Sequence, residues 1–152
     1  KPLTLTVTVH TETSSRASKE RSISAMPSKK INTIIDETVI LRYLLNDNKA
    51  QARQARKIIE TGVACTYPEI IARVAVCLRD VHRVPRTVIA ASLIALLDEV
   101  NVSEEAVVRY ASRLFGSSPL DYVDCLMVAR NTVSGIPLVS FDKPIMKRTF
   151  TV

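Results

Sequence analysis

The sequence predicts an α/β fold that is rich in helix and built on a parallel sheet of about four or five strands. Three observations support this prediction. From Ile31 onward, short apolar stretches alternate with longer stretches whose apolar residues have helical spacing. Hydrophobic residues make up 47% of the chain, with few aromatics and no Trp, so Ile, Val, Leu and Ala must form the core. Acidic residues stand where the apolar strands give way to helices, and in such a fold these junctions lie on one edge of the sheet, the edge where ligands bind.

The pattern places ten elements along the chain. The predicted strands cover residues 31–36, 63–66 and 137–141, and the predicted helices cover 39–45, Lys49–Glu60, 68–82, 85–99, 103–114 and 122–133, with a last short helix from Lys143.

Local signals mark where these helices begin and end. Gly62 stops the second helix, and Pro68 takes a favoured first-turn position in the third. Ser103 is the expected N-cap of the fifth helix, and Gly135 ends the sixth. The fourth helix carries an apolar stripe that predicts either core or a dimer interface, made of Val88, Ile89, Leu93, Leu96 and Leu97.

Residues 1–30 differ from the rest of the chain in composition. Residues 3–9 alternate Leu or Val with Thr, which suits an edge strand, whereas residues 11–30 are rich in Ser, Thr, Lys and Arg, which predicts a linker or disorder. The segment also resembles an organellar transit peptide in composition, although no amphipathic helix is visible. We therefore divide the 152 residues into a tail or linker, 1–30, and one folded domain, 31–152.

The net charge of +6 is unevenly distributed. Residues 1–30 carry six basic and two acidic residues, and the rest of the chain carries fifteen and thirteen. Six of those thirteen acids belong to the strand-to-helix junctions, so an acidic pocket would lie within a basic surround, which suits a metal site that handles a phosphate backbone. An ordinary solvated surface with excess Lys and Arg explains the charge equally well.

Cysteine usage argues against a zinc site and against a disulfide framework. Cys65, Cys77 and Cys125 are widely spaced in apolar stretches, and the chain has no CxxC and no Cys/His cluster. We expect three buried thiols in a reducing compartment, the cytoplasm. No apolar stretch approaches the roughly 20 residues that a membrane-spanning helix needs, so we expect no membrane partner.

The junction acids are the candidate functional residues. Asp36 follows the first strand, Glu69 follows Pro68, and Asp142 follows the last strand, while Asp121 and Asp124 share one helix face. Each could simply cap a helix or favour its dipole. Asp124 lies one turn further into its helix, on an otherwise apolar face. A carboxylate there is unfavourable unless something pairs with it.

Electrostatic repulsion decides what a shared acidic pocket would require. Two carboxylates about 4 Å apart repel by roughly 4 kcal/mol at an effective dielectric near 20. Four or five of them would exceed what a marginally stable domain tolerates, so some stay protonated or a cation lies among them. All-oxygen ligation selects a hard ion, Mg²⁺ or Mn²⁺, and its chemistry would be phosphodiester hydrolysis.

Two segments carry a resemblance to a known family. The segment IIDETVILRYLLND resembles the opening of PIN-domain ribonucleases, above all of VapC-type toxins, and LDYVDCLMVARNTVSGIPLVSFDKPIMK resembles their late acidic segment. PEIIARVAVCLRDVHRV is similar to the family helix that opens with Glu. The resemblance covers about residues 31–148 and leaves the N-terminal tail out.

The resemblance implies a fold, a chemistry and partners. The fold is a three-layer α/β/α sandwich with a short parallel sheet, and the activity is Mg²⁺- or Mn²⁺-dependent cleavage of RNA by a toxin. The implied partners are an RNA substrate, a cognate antitoxin and a second copy of the chain in a homodimer. The implied catalytic and metal-binding residues are Asp36, Glu69, Asp124 and Asp142, with Asp121 as a further ligand and Thr38 as an auxiliary residue.

Glu37 departs from the family pattern, which usually has Thr or Ser there, and it adds negative charge beside the pocket. This motivates an alternative, a catalytically degenerate PIN module that binds RNA or a protein. A receiver-like signalling domain is disfavoured, because in that class a Lys follows a late strand, whereas in this chain Asp142 follows the predicted late strand.

Arginines and histidines are further candidate residues. Arg42, Arg73 and Arg79 are candidate phosphate contacts. The two histidines, His10 and His82, are not expected to act in catalysis.

Overall fold

The computed structural model describes residues 31–150 and shows an α/β fold made mostly of helices. Three short strands form one sheet, and seven helices surround it within this range. In chain order the elements are β1 (Thr33–Ile34), α1 (Glu37–Leu45), α2 (Lys49–Glu60), β2 (Ala64–Thr66), α3 (Pro68–Asp80), α4 (Arg86–Leu96), β3 (Asn101–Val102), α5 (Glu105–Ser117), α6 (Tyr122–Ser134) and α7 (Lys143–Met146).

The sheet is parallel and has the order β1-β2-β3. Thr33 pairs with Ala64, and Cys65 pairs with both Ile34 and Asn101. Because all three strands run in the same direction, α1 and α3, which follow β1 and β2, begin at the same edge of the sheet. The architecture is compatible with a three-layer sandwich.

The core lies between the sheet and the helices and is almost wholly aliphatic. The apolar stripe of α4 is buried there, so it is core rather than an exposed interface, as Ile89, Leu93 and Leu96 show. Helix α5 packs against both α4 and α6, and α3 also contacts α6. Gly116 allows α5 to approach α4 closely, because a Cβ at this position would lie 2.7 Å from the Cβ of Ala90.

The predicted strand 137–141 is wrong, and the sheet has three strands in the described range rather than four or five. Residues 137–141 follow an irregular path, with Val139 and Phe141 almost fully exposed. Alternating apolar residues favour a strand only where a neighbouring strand receives them, and none in the described range pairs with this segment, of which Leu138 packs against the core. Strand β3 was not predicted, because two residues carry too little pattern.

The predicted cap of α5 is also wrong. Ser103 extends the sheet instead, since its amide donates a hydrogen bond to the carbonyl of Thr66 at 3.3 Å. Glu104 takes the cap position with a left-handed backbone, φ 54°. Its carboxylate accepts hydrogen bonds from the Arg130 guanidinium at 2.8 and 3.1 Å, so α5 is tied to α6.

Asn131 on α6 fixes the chain beyond that helix. Its buried side chain donates to the carbonyls of Ile136 and Phe150 at 3.0 and 3.3 Å, and its Oδ1 accepts from the amide of Phe150 at 3.1 Å. These bonds hold both ends of the segment that carries α7. They position Asp142, the residue before α7, without a supporting strand.

The remaining sequence predictions concern cysteines, membranes and the tail. Cys125 is buried, which raises the pKa of its thiol to about 11, but Cys65 and Cys77 are only partly buried, and all three are free. Across residues 31–150 no helix combines the length and the apolar character that crossing a bilayer requires. The predictions for residues 1–30 lie outside the described residues.

Candidate active site

Asp36 lies where β1 ends and α1 begins. It caps the helix, and its Oδ1 accepts hydrogen bonds from the Thr38 amide at 3.0 Å, the Thr38 hydroxyl at 2.5 Å and the Val39 amide at 3.3 Å. The hydroxyl bond, more than the backbone bonds, lowers the pKa of Asp36. All three bonds reach Oδ1 and favour the ionised carboxylate, and among residues 31–150 no hydrogen bond to Oδ2 is made.

Thr38 is therefore expected to control the charge of Asp36. We expect Thr38→Val to raise the pKa of Asp36 toward its ordinary value, and Thr38→Ser to leave it low, as measured by NMR titration of the Asp36 carboxyl carbon. A lowered pKa stabilises the fold at neutral pH, and this contribution is lost as the pH falls through that pKa. The Val variant should thus lose less stability on acidification than the wild type. Equal pKa values in all three proteins would contradict this role.

Glu37 and Glu69 lie on a groove between α1, α3 and α6. The groove has a volume of about 740 Å³ and is lined mainly by apolar side chains, namely Leu41, Ala72, Val76, Cys77, Val81 and Val123, together with Glu37, Glu69, Arg73 and Asp80. Arg73 forms an ion pair with Glu37 at 3.1 Å. The additional charge of Glu37 is therefore balanced by a neighbour on α3.

Asp121, Asp124 and Asp142 form a second acidic group at the starts of α6 and α7. Asp124 is half-buried in the first turn of α6, and burial is the main reason that its pKa is raised. The negative charges of Asp121 and then Asp142 raise the pKa of Asp124 further. The carboxylates of Asp121 and Asp142 are therefore close enough to disfavour the ionised form of Asp124.

Arg79 on α3 already neutralises part of this group. Its guanidinium bonds Asp121 at 2.6 Å and Asp80 at 2.7 Å, which ties α3 to the start of α6. Asp121 does not cap α6 with its side chain. A cation that used Asp121 as a ligand would have to compete with Arg79.

The acids that line the groove, Glu37 and Glu69, adjoin the group of Asp121, Asp124 and Asp142 but are not merged with it. Val123, next to Asp124 in sequence, lines the groove that also holds Glu69. Among residues 31–150, however, no three carboxylate, imidazole or thiol groups lie close enough together to hold a metal ion. The metal site of Asp36, Glu69, Asp121, Asp124 and Asp142 therefore stays a prediction.

The three candidate phosphate-binding arginines are all engaged with carboxylates. Arg42 pairs with Asp47 at 2.7 Å, and Arg73 and Arg79 make the ion pairs described above. Two features were not anticipated from the sequence, the apolar floor of the groove and a set of basic residues on α2. The second could have been found by plotting Lys and Arg at helical spacing.

Compared with protein-family models, curated proteins and solved structures, the chain matches none of them.

Proposed function

We propose that the protein is a metal-dependent endoribonuclease of the PIN type and the toxin of a type II toxin–antitoxin pair. One observation carries the proposal. Carboxylates stand at the starts of four helices, at Asp36, Glu69, Asp124 and Asp142, in the order and with the flanking residues that the family resemblance implies. Asp36 and Glu69 follow parallel strands at one sheet edge, where ligands of α/β folds bind.

The donor set suits Mg²⁺ or Mn²⁺, because carboxylate oxygens are the ligands that hard divalent ions prefer. Two observations support the fit. Oδ2 of Asp36 is available while Oδ1 is fixed, and Asp124 bears the charge of two neighbouring carboxylates. When bound, such an ion lowers the pKa of a water molecule and polarises the phosphoryl oxygen.

The chain's own residues would prepare this chemistry in distinct ways. Asp36, Glu69, Asp124 and Asp142 would hold the ion, and Asp121 would join them once released from Arg79. Thr38 keeps Asp36 ionised and oriented. Arg73 offsets the charge of Glu37, so that Glu37 does not compete for the ion.

The proposal extends to the partners and the compartment that the family resemblance implies. RNA would be the substrate, a cognate antitoxin would cover the acidic sites, and the toxin would act in the cytoplasm as a homodimer. The groove beside Glu69 has the apolar lining that a protein partner would bury.

A cleavage assay tests the proposed activity. Full-length protein, freed of metal by chelation, is incubated with end-labelled total RNA. We expect no cleavage in excess EDTA and defined fragments after Mn²⁺ or Mg²⁺ is added. Intact RNA under every metal condition, with protein that remains folded by circular dichroism, would contradict the activity.

A degenerate PIN module that binds RNA or protein without cutting is the second candidate. The observation that favours it is that the described carboxylates are not assembled and that Asp121 is bound to Arg79. Thermal denaturation with increasing Mn²⁺ separates the two. The nuclease should be stabilised by Mn²⁺, and the degenerate module should not.

A further inference from the structure

Helix α2 presents basic residues along one face. Lys49, Arg53, Arg56 and Lys57 are all exposed. At 3.6 residues per turn they fall within a sector of about 100°, which we call the α2 basic face. The opposite part of the helix is anchored in the core through Ala52, Ala55 and Ile59.

In the described part of the chain, the side chains of these four residues donate no hydrogen bond and join no ion pair. Six basic residues elsewhere in this range also lack a carboxylate partner, namely Arg83, Arg86, Arg113, Lys143, Lys147 and Arg148. Five other arginines do form ion pairs, namely Arg42, Arg73, Arg79, Arg109 and Arg130. Four of the ten described basic side chains without an ion pair therefore lie on this one helix.

The charge balance leads to the same conclusion. Residues 31–152 carry fifteen basic and thirteen acidic residues, and α2 carries four of the former and only Glu60 of the latter. Without α2 this part of the chain would have a small negative net charge. Helix α2 thus contributes a net charge of +3, and such a patch attracts polyanions over a Debye length.

We propose that the α2 basic face binds the phosphate backbone of RNA. The choice of RNA as the polyanion rests on the proposed function. Two arginines on the face present forked donors that match phosphate oxygens, and two lysines add point charges. The binding is independent of base sequence, because the face offers charge to the backbone and no shaped pocket for bases.

An anionic membrane surface fits the face less well than RNA. Interfacial helices bury large apolar side chains on one side, but the apolar side of α2 is already occupied by the core. The exposed neighbours of the basic residues are Ala50, Gln51, Gln54 and Glu60, of which Glu60 lies within the same sector in the last turn. Such a surface suits hydrogen bonding to a solvated backbone and offers little to hydrocarbon.

The α2 basic face lies one helix away from the acidic residues. Asp36 stands at the start of α1, and α2 begins shortly after α1 ends. The nine residues of α1 span about 14 Å at 1.5 Å per residue, a length that several nucleotides of RNA can bridge. The face therefore holds the RNA backbone at a distance from the site of cleavage.

The test measures RNA binding without cleavage. Fluorescence anisotropy with a labelled single-stranded RNA is recorded in EDTA at several NaCl concentrations, using the full chain. Arg53→Gln/Arg56→Gln removes two charges from the face. Arg83→Gln/Arg113→Gln is the matched control, because it removes two exposed arginines elsewhere.

We expect the α2 double variant to bind at least about fivefold more weakly, with a salt slope lower by about 1.4, whereas the control stays near wild type. Equal losses in both variants, or none in the first, would overturn the proposal. So would wild-type protein that binds anionic phosphatidylserine vesicles and not RNA. EDTA prevents metal-dependent cleavage, so this experiment measures RNA binding alone. A failure of the cleavage assay would therefore not decide the outcome of the binding experiment.

Discussion

Asp124→Asn is expected to reduce RNA cleavage by more than about a hundredfold. Asp124 is the acid with the strongest reason to be a ligand, since it is half-buried and bears the charge of Asp121 and Asp142. Mutation of a residue that only supports a metal ligand typically lowers metal affinity or activity about 10–100-fold, so loss of a direct ligand should lower it more. The measurement is the initial rate of fragment formation at saturating Mn²⁺.

The same substitution should slightly stabilise the metal-free protein. A raised pKa means that the ionised form of Asp124 is disfavoured in the fold, so the wild type is less stable above that pKa. Neutral Asn removes this penalty, and we expect the melting temperature in EDTA at pH 7 to rise by about 1–3 °C. The difference should vanish as the pH falls through the pKa of Asp124, where the wild-type carboxyl is protonated.

Asp98→Asn is the matched control for both effects. Asp98 is exposed and lies outside both acidic groups, and its ion pair within the described range is a 3.5 Å contact to Arg109. It should retain cleavage and show no comparable stabilisation. If Asp124→Asn cuts RNA as fast as Asp98→Asn, Asp124 has no catalytic role.

Phe115→Ala is expected to cost about 3–5 kcal/mol of unfolding free energy. The ring is fully buried, lies 5.5 Å from the ring of Tyr122 and receives the Arg86 guanidinium at 3.9 Å. Truncation removes the surface against which the first turn of α6 packs. The acids on that turn, Asp121 and Asp124, would lose their support. Urea denaturation measures the decrease in the free energy of unfolding.

Phe141→Ala provides the comparison for that result. It makes the same chemical change at a fully exposed side chain, so its effect should stay within about 0.5 kcal/mol. A loss as large as that of Phe115→Ala would show that the Phe141 ring packs against the fold, contrary to the structure.

The helices could be predicted from the sequence because their signals are local. Helix α2 has the predicted bounds, α3 and α6 begin at the predicted residues, and Gly135 ends α6 with a left-handed backbone. The acids stand in caps or first turns, as their positions in sequence indicated. These features depend on nearest neighbours along the chain.

Features that depend on distant partners could not be predicted. The strand 137–141 failed because its alternation needs a neighbouring strand, and the short β3 gave no signal of its own. The pairing of Arg79 with Asp121 joins residues 42 apart, and that of Arg73 with Glu37 joins residues 36 apart. Sequence spacing identified the charged residues but not which of them neutralise each other.

Electron paramagnetic resonance of free Mn²⁺, titrated with the full-length protein, tests most directly whether acids from separate segments hold one ion. We expect the wild type to bind Mn²⁺, with Asp36→Asn and Asp142→Asn each weakening the affinity at least about tenfold, and Asp98→Asn leaving it unchanged. Failure of the wild type to bind Mn²⁺, or unchanged affinity in both site variants, would contradict the metal-dependent nuclease.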